Sequence, residues 1–245
     1  MRDIWQIVQQ WQDEKQRIAL ATVIKVTGSS LRPEGSKLII SNSGAIHGSV
    51  TGGCVEGAVF EEASEVLRSG APRLLSYGVT DQQAWDVGLS CGGAVEIFVE
   101  AMDTPAWQAI LPALARSLAE NRLAVLLTVV RGAGTGRKML VLPGGEISGS
   151  LGNTDLDHEA ISSLPENWAT RTPLQIELRN GEIVFADFIV PPPRLVIIGA
   201  SHIAIPLVAL AKTLAFHTIV VDARSAFATR ERFPHADELI IGWPA

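Results

Sequence analysis

Two cysteines occur in the 245 residues, and both stand among glycines: Cys54 in "GSVTGGCVEGAVFEEASEVLRSG" (48–70) and Cys91 in "VGLSCGGAV" (87–95). The apolar spacing after the first predicts a helix from about Cys54 to Arg68. It would bury Val55, Ala58, Val59, Ala63, Val66 and Leu67 and stop at Gly70. Cys54 then falls in the first turn, where unpaired N–H groups and the helix dipole favour a thiolate. Such a thiolate suits attack on sulfur, contact with a soft metal centre, or the company of an anion seated on the helix N-terminus. A small core-facing cysteine would need no chemistry at all. Gly52 and Gly53 leave the thiol side open, so Cys54 is taken as the candidate catalytic residue and the candidate metal contact. Cys91 opens a strand without a helix dipole and carries the same two readings. Glu56 is expected to stabilise the helix start rather than to act as a catalytic acid.

These residues need a frame. Ile4, Trp5, Val8 and Trp11 have helical spacing over 3–16, and "RIALATVIKVTG" reads as a strand ending at Gly28. "SKLIISNSGAIHGSV" reads as two strands joined at Asn42-Ser43-Gly44. Strands follow near 73–79, 94–101 and 123–131, with a helix near 105–120. At an offset of 101, Gly35, Lys37, Gly44, Ile46, Gly48 and Ser49 recur as Gly136, Lys138, Gly145, Ile147, Gly149 and Ser150. Both sets follow a strand and precede a helix, which predicts a duplicated strand-turn-strand-helix unit. The second set lacks the cysteine; Asn153 and Thr154 stand where Gly52 and Gly53 do.

A hairpin with an Asn180-Gly181 turn closes this part, and Pro191, Pro192 and Pro193 form a stiff joint. "RLVIIGASHIAIPLVALAKTLAFHTIVVDARS" then reads as buried strand, turn, helix and buried strand, the opening of a doubly wound nucleotide-binding fold. Gly199 suits a pyrophosphate turn and Asp222 a ribose contact, but Ser201 occupies the place of the middle glycine. The fold class is therefore α/β: a mixed α/β domain over 1–190 with the duplicated unit, then a partial Rossmann-like βαβ half over 194–245. A third strand ends the sequence, and the open half-sheet predicts exposed apolar surface and with it either self-association, as a homodimer, or a fragment of a longer chain.

The formal charge of -6 and a pI near 5.4 leave no basic stripe for a phosphate backbone, so nucleic acid is not an expected partner. The N-terminal residues do not form a signal peptide, and "LAVLLTVV" is too short to span a bilayer. A cytoplasmic protein without a membrane partner, its cysteines reduced, is expected.

"TGSSLRPEGSKLIISNSGAIHGSVTGGCVEGAVFEEA" with "VGLSCGGAVEIFVE" resembles the N-terminal domain of the XdhC/CoxI family. Residues 194–245 resemble the first part of that family's Rossmann domain. The resemblance implies a maturation factor for a molybdenum hydroxylase of the xanthine dehydrogenase type. Such a factor binds the molybdenum cofactor (molybdopterin), protects it during sulfuration, with a cysteine desulfurase as a possible donor, and hands it to the apo-enzyme without turnover of its own. Carried onto this sequence, the motifs place the cofactor near Ser29, Ser30, Arg32, Gly52, Gly53, Cys54, Cys91, Gly92 and Gly93. A helix N-terminus and a Gly-Ser loop can hold its phosphate. In the nucleotide turn, Gly199 and Asp222 stand at the expected places but Ser201 replaces the usual glycine of the family's GAGH pattern, and the second half of the Rossmann domain is missing, which puts NAD(P) binding in doubt. The alternatives are a nucleotide-dependent oxidoreductase built on 194–245, a Cys54-dependent sulfur transferase, or a structural interaction module.

Overall fold

In a computed structural model that describes residues 1–78, 93–168 and 172–243, the chain divides into two units, Met1–Val190 and Pro191–Ala245. The first unit runs α1 (Arg2–Asp13), β1 (Ile18–Thr27), β2 (Lys37–Ser41), β3 (Ile46–Gly48), α2 (Glu56–Ser69), β4 (Arg73–Tyr77) and β5 (Ala94–Ala101). The same series follows as α3 (Pro105–Ala119), β6 (Ala124–Arg131), β7 (Lys138–Val141), β8 (Ile147–Ser150), α4 (Thr154–Ser162), β9 (Leu174–Glu177) and β10 (Ile183–Ile189). Two antiparallel five-stranded sheets result, ordered β3-β2-β1-β5-β4 and β8-β7-β6-β10-β9. The repeat is thus larger than the echo in sequence: each copy is a helix, three strands, a helix and two strands.

Alternation along the central strands explains the layers. Ala19, Ala21 and Val23 of β1 pack with Val59, Ala63 and Val66 of α2 on one face of the first sheet. Val125, Leu127 and Val129 of β6 pack with Ala160 of α4 in the same way. The opposite faces meet: Ile18, Leu20 and Leu126 join Ile4 and Val8 of α1 and Trp107, Ile110 and Leu114 of α3, while Ile24 and Phe98 meet Val130 and Phe185. Both faces of β1 are therefore covered, and its first seven residues are all buried.

Charge lies inside this central layer. Lys37 Nζ donates to Asp187 Oδ2 at 2.6 Å and to the Gly35 carbonyl at 2.9 Å. Lys138 Nζ donates to Glu100 Oε1 at 2.7 Å and to Thr128 Oγ1 at 2.9 Å. The lysines are equivalent, and so are the carboxylates: Glu100 lies opposite Leu20 on β1, and Asp187 opposite Leu126 on β6. Each ammonium crosses to the acid of the other copy, so the two pairs are reciprocal. Burial pushes the Glu100 carboxyl up and the Lys138 ammonium down, each opposed by its partner's charge. The lysine side chains are 2% and 0% exposed, which leaves neither able to reach water instead.

The echoed glycines serve the same region. At Gly48 and Gly149 φ is +90° and +79°, and a Cβ there would collide with the carbonyl oxygen of Lys37 or Lys138. Close backbone approach behind each buried lysine therefore demands glycine.

The second unit contains β11 (Arg194–Ile198), α5 (Ala204–Thr213), β12 (His217–Asp222) and β13 (Glu238–Ile241), a parallel sheet ordered β11-β12-β13. Ile197, Val208, Val220 and Phe233 form its core. Val196, Ile198, Ile203, Leu210, Leu214 and Trp243 are exposed, the uncovered apolar surface expected of a half-sheet. Among the described residues, no helix is long and apolar enough to cross a membrane.

Removing one member of a crossed pair strands the other charge in the core. Lys37→Met should destabilise the chain by about 3–5 kcal/mol in urea unfolding; a loss under about 1 kcal/mol would show that the pair does not tie the copies together.

Candidate functional site

The helix after the glycines starts later than its periodicity predicts. α2 begins at Glu56 with Val55 as N-cap, so Cys54 lies ahead of the first turn. In the second copy Asn153 caps α4, its side chain accepting from the Leu156 N–H at 3.0 Å, and the helix starts at Thr154. By the offset of the echo, Glu56 matches Asp157. The first copy therefore gives up the helical positions of Gly53, Cys54 and Val55 to a loop.

Glu56 closes that loop. Its Oε1 accepts the N–H groups of Val50 (3.2 Å), Thr51 (2.9 Å) and Gly52 (3.0 Å) and the Ser49 hydroxyl (2.8 Å). Its Oε2 accepts the Gly53 N–H (2.8 Å) and the Thr51 hydroxyl (2.7 Å). Positive φ at Gly52 (+86°) and Gly53 (+120°) goes with this inward turn of the amides, a concave anion nest. Burial alone would raise the Glu56 carboxyl, but the hydrogen bonds from Thr51 and Ser49 outweigh it and hold the pKa at about 2. Asp157 keeps a reduced form of the arrangement, accepting the Leu151 N–H at 2.7 Å. The anion seat expected at this helix start is thus taken by the chain's own carboxylate. A phosphate could enter only by displacing it.

Cys54 is half-buried and packs, with Val26, Leu75 and Tyr77, against the core beneath α2. A Cβ on Gly52 would lie 3.2 Å from Leu31, whereas one on Gly53 would meet nothing within 4 Å among the described residues. Gly93 abuts the Ser29 and Thr27 carbonyls so closely that a Cβ cannot fit. The 28–34 loop therefore adjoins the Cys54 loop through Leu31 and Gly93 through Ser29, at the end of the first sheet where Thr27 pairs with Ala94. Ser30 Oγ donates to the Arg32 carbonyl at 2.8 Å and accepts its N–H at 3.3 Å. Among the described residues, the buried Arg32 Nε has no hydrogen-bond partner. Of the residues singled out in sequence, Ser29, Ser30, Arg32, Gly52, Gly53, Cys54 and Gly93 converge here; Cys91 and Gly92 lie outside the described residues. No group of three or more metal-ligating side chains occurs among the described residues.

Sequence reasoning missed the extent of Glu56's role and the contact made by Leu31. The spacing Gly53-x-x-Glu56, that of a capping box, was the available signal.

Gly199, Ser201 and Asp222 sit apart in the second unit. Gly199 has φ +104° after β11, and Ser201 is exposed before α5. Asp222 Oδ2 accepts the Ala200 N–H at 2.8 Å and Arg224 Nη2 at 2.8 Å; Oδ1 accepts the Arg224 N–H at 2.8 Å and Nε at 2.9 Å. The Arg224 side chain holds this carboxyl well below the usual range. Both oxygens available to a ribose are already engaged.

The Glu56 interaction sets an acid dependence. A carboxylate depressed from 4.5 to about 2 contributes stability above its ordinary pKa and loses it as pH falls through that window. Urea midpoints of the wild type should therefore drop more than those of Glu56→Gln between about pH 5 and pH 2. At neutral pH Glu56→Ala should cost about 2–3 kcal/mol. Equal acid slopes for wild type and Glu56→Gln would contradict the assignment.

Comparison with known proteins agrees with the duplicated architecture. The XdhC and CoxI family matches residues 11–78 and 117–177, one segment in each copy, and the XdhC Rossmann domain matches 195–242. A probable xanthine dehydrogenase subunit from Bacillus subtilis is 26% identical over 95% of this chain and 67% of its own length. The molybdenum cofactor insertion chaperone PaoD of Escherichia coli is 37% identical over 32% of this chain and 24% of its own. The crystal structure of a xanthine dehydrogenase from Bacillus halodurans has the same fold, with TM-score 0.76 at 24% identity over 99% of this chain and 68% of that one. With both copies matched by one family and the second unit by its Rossmann domain, the chain belongs to the XdhC and CoxI family.

Proposed function

We propose that this chain is an accessory factor for a xanthine dehydrogenase-type molybdenum hydroxylase, and that it binds the molybdenum cofactor at the Cys54 loop. The observation that carries the reading is that a loop held by Glu56, the half-buried Cys54 and the buried Arg32 Nε, which has no hydrogen-bond partner among the described residues, lie at one end of the first sheet. The name of the Escherichia coli relative, a molybdenum cofactor insertion chaperone, supports the same role.

The residues suit the group. The cofactor supplies a phosphate and a soft metal centre when bound. Since Glu56 fills the nest, Arg32 is the donor we assign to the phosphate, with the exposed Ser29 beside it. Cys54 is the contact we assign to the metal side, and among the described residues nothing lies within 4 Å of where a Cβ on Gly53 would stand. In this reading the chain shields the cofactor while its sulfido ligand is installed, a cysteine desulfurase being the donor, and then delivers it to the apo-enzyme in the cytoplasm. The exposed apolar residues of the second unit favour self-association as a homodimer.

Anaerobic titration of the purified chain with molybdenum cofactor, read as co-elution of molybdenum and pterin, tests the proposal. Stoichiometric binding is expected, weakened about tenfold or more by Cys54→Ala and by Arg32→Ala. A folded wild type that retains neither molybdenum nor pterin would overturn the reading.

A further inference from the structure

The duplication provides an internal control for a second cavity. In the first copy the ring of Phe60 on α2 covers the β2–β3 turn: a Cβ on Gly44 would lie 3.8 Å from Phe60 Cζ. At the echo's offset, Phe60 becomes Ile161 on α4 and Gly44 becomes Gly145 in the β7–β8 turn. Above Gly145 a Cβ would meet nothing within 4 Å among the described residues. Where the first copy has a ring, the second has, among the described residues, an open pocket of about 520 Å³. Leu142, Pro143, Ile147 and Ile161 give it apolar walls and Trp168 an aromatic one, while the exposed Glu166 and Asn167 contribute its carboxylate and a carboxamide.

That volume lies within the range of about 300–1,000 Å³ usual for small-molecule sites, which combine apolar walls with a few orienting polar groups. An indole wall favours a flat ring, and a lone carboxylate favours a cationic substituent on it. We propose that this cavity binds a planar aromatic amine, its ring against Trp168 and its ammonium toward Glu166. The site uses none of the residues assigned to the cofactor, and its existence does not depend on that assignment.

Tryptamine, indole and indole-3-acetate, titrated separately into the full chain by calorimetry, form a suitable probe series. Saturable binding in the order tryptamine, indole, indole-3-acetate is expected. Glu166→Gln should bring tryptamine and indole together while leaving indole unchanged. Ile161→Phe restores the ring found in the first copy and should weaken tryptamine by about tenfold or more with the melting temperature maintained. If that variant does not fold, Trp168→Ala takes its place with the same expected loss. No saturable tryptamine binding by the wild type, or affinity unchanged in the folded variant, would overturn the proposal.

Discussion

Two ion pairs that cross between the copies constrain everything else in the first unit. Lys37 can be buried only because Asp187 lies beside it, and Lys138 only because of Glu100. A buried charge without its partner costs several kcal/mol, so neither sheet can turn its charged face inward without the other. The close approach at Gly48 and Gly149 and the paired threonines Thr22 and Thr128 opposite the lysines belong to the same requirement. The first unit is therefore one folding body made of two similar halves, not two tandem modules.

Within that near-symmetry, the two helix starts differ. Where the second copy starts its helix at once on an Asn153 cap, the first inserts Gly-Gly-Cys and fastens it with Glu56. The extra carboxylate length of Glu over Asp lets one side chain gather four consecutive N–H groups instead of one. The loop is thus ordered by the protein itself before any ligand arrives, and a bound group need not supply that ordering. A second exchange sets Phe60 beside Gly44 in the copy that holds Cys54, where the other copy has Ile161 and Gly145 lining an open pocket.

Local patterns made much of this legible. Periodicity located the helices and the buried strands, and the echo of Gly35, Lys37, Gly44 and Gly48 pointed to duplication, because turns and close approaches restrict residue type at fixed spacing. The reason for the repeated lysine was not legible: Asp187 lies 150 positions from Lys37, and nothing local relates them. The start of α2 differs from its periodicity for a different, local reason. Val55 and Val59 have helical spacing, but side-chain hydrogen bonds from residues 49–53 to Glu56, which apolar periodicity does not register, decide where the backbone leaves the loop. The convergence of Ser29, Arg32 and Cys54 depends on strand pairing, since Gly93 meets Ser29 only through the register of β1 and β5.

Central to all of this is that Glu56 orders the Cys54 loop in advance of any ligand. Amide hydrogen exchange at Thr51, Gly52 and Gly53 in the ligand-free wild type measures this most directly. Slowed exchange is expected at all three, collapsing to unprotected rates in Glu56→Ala while the amides of β1 keep their protection. Unprotected exchange at these amides in the wild type would contradict it.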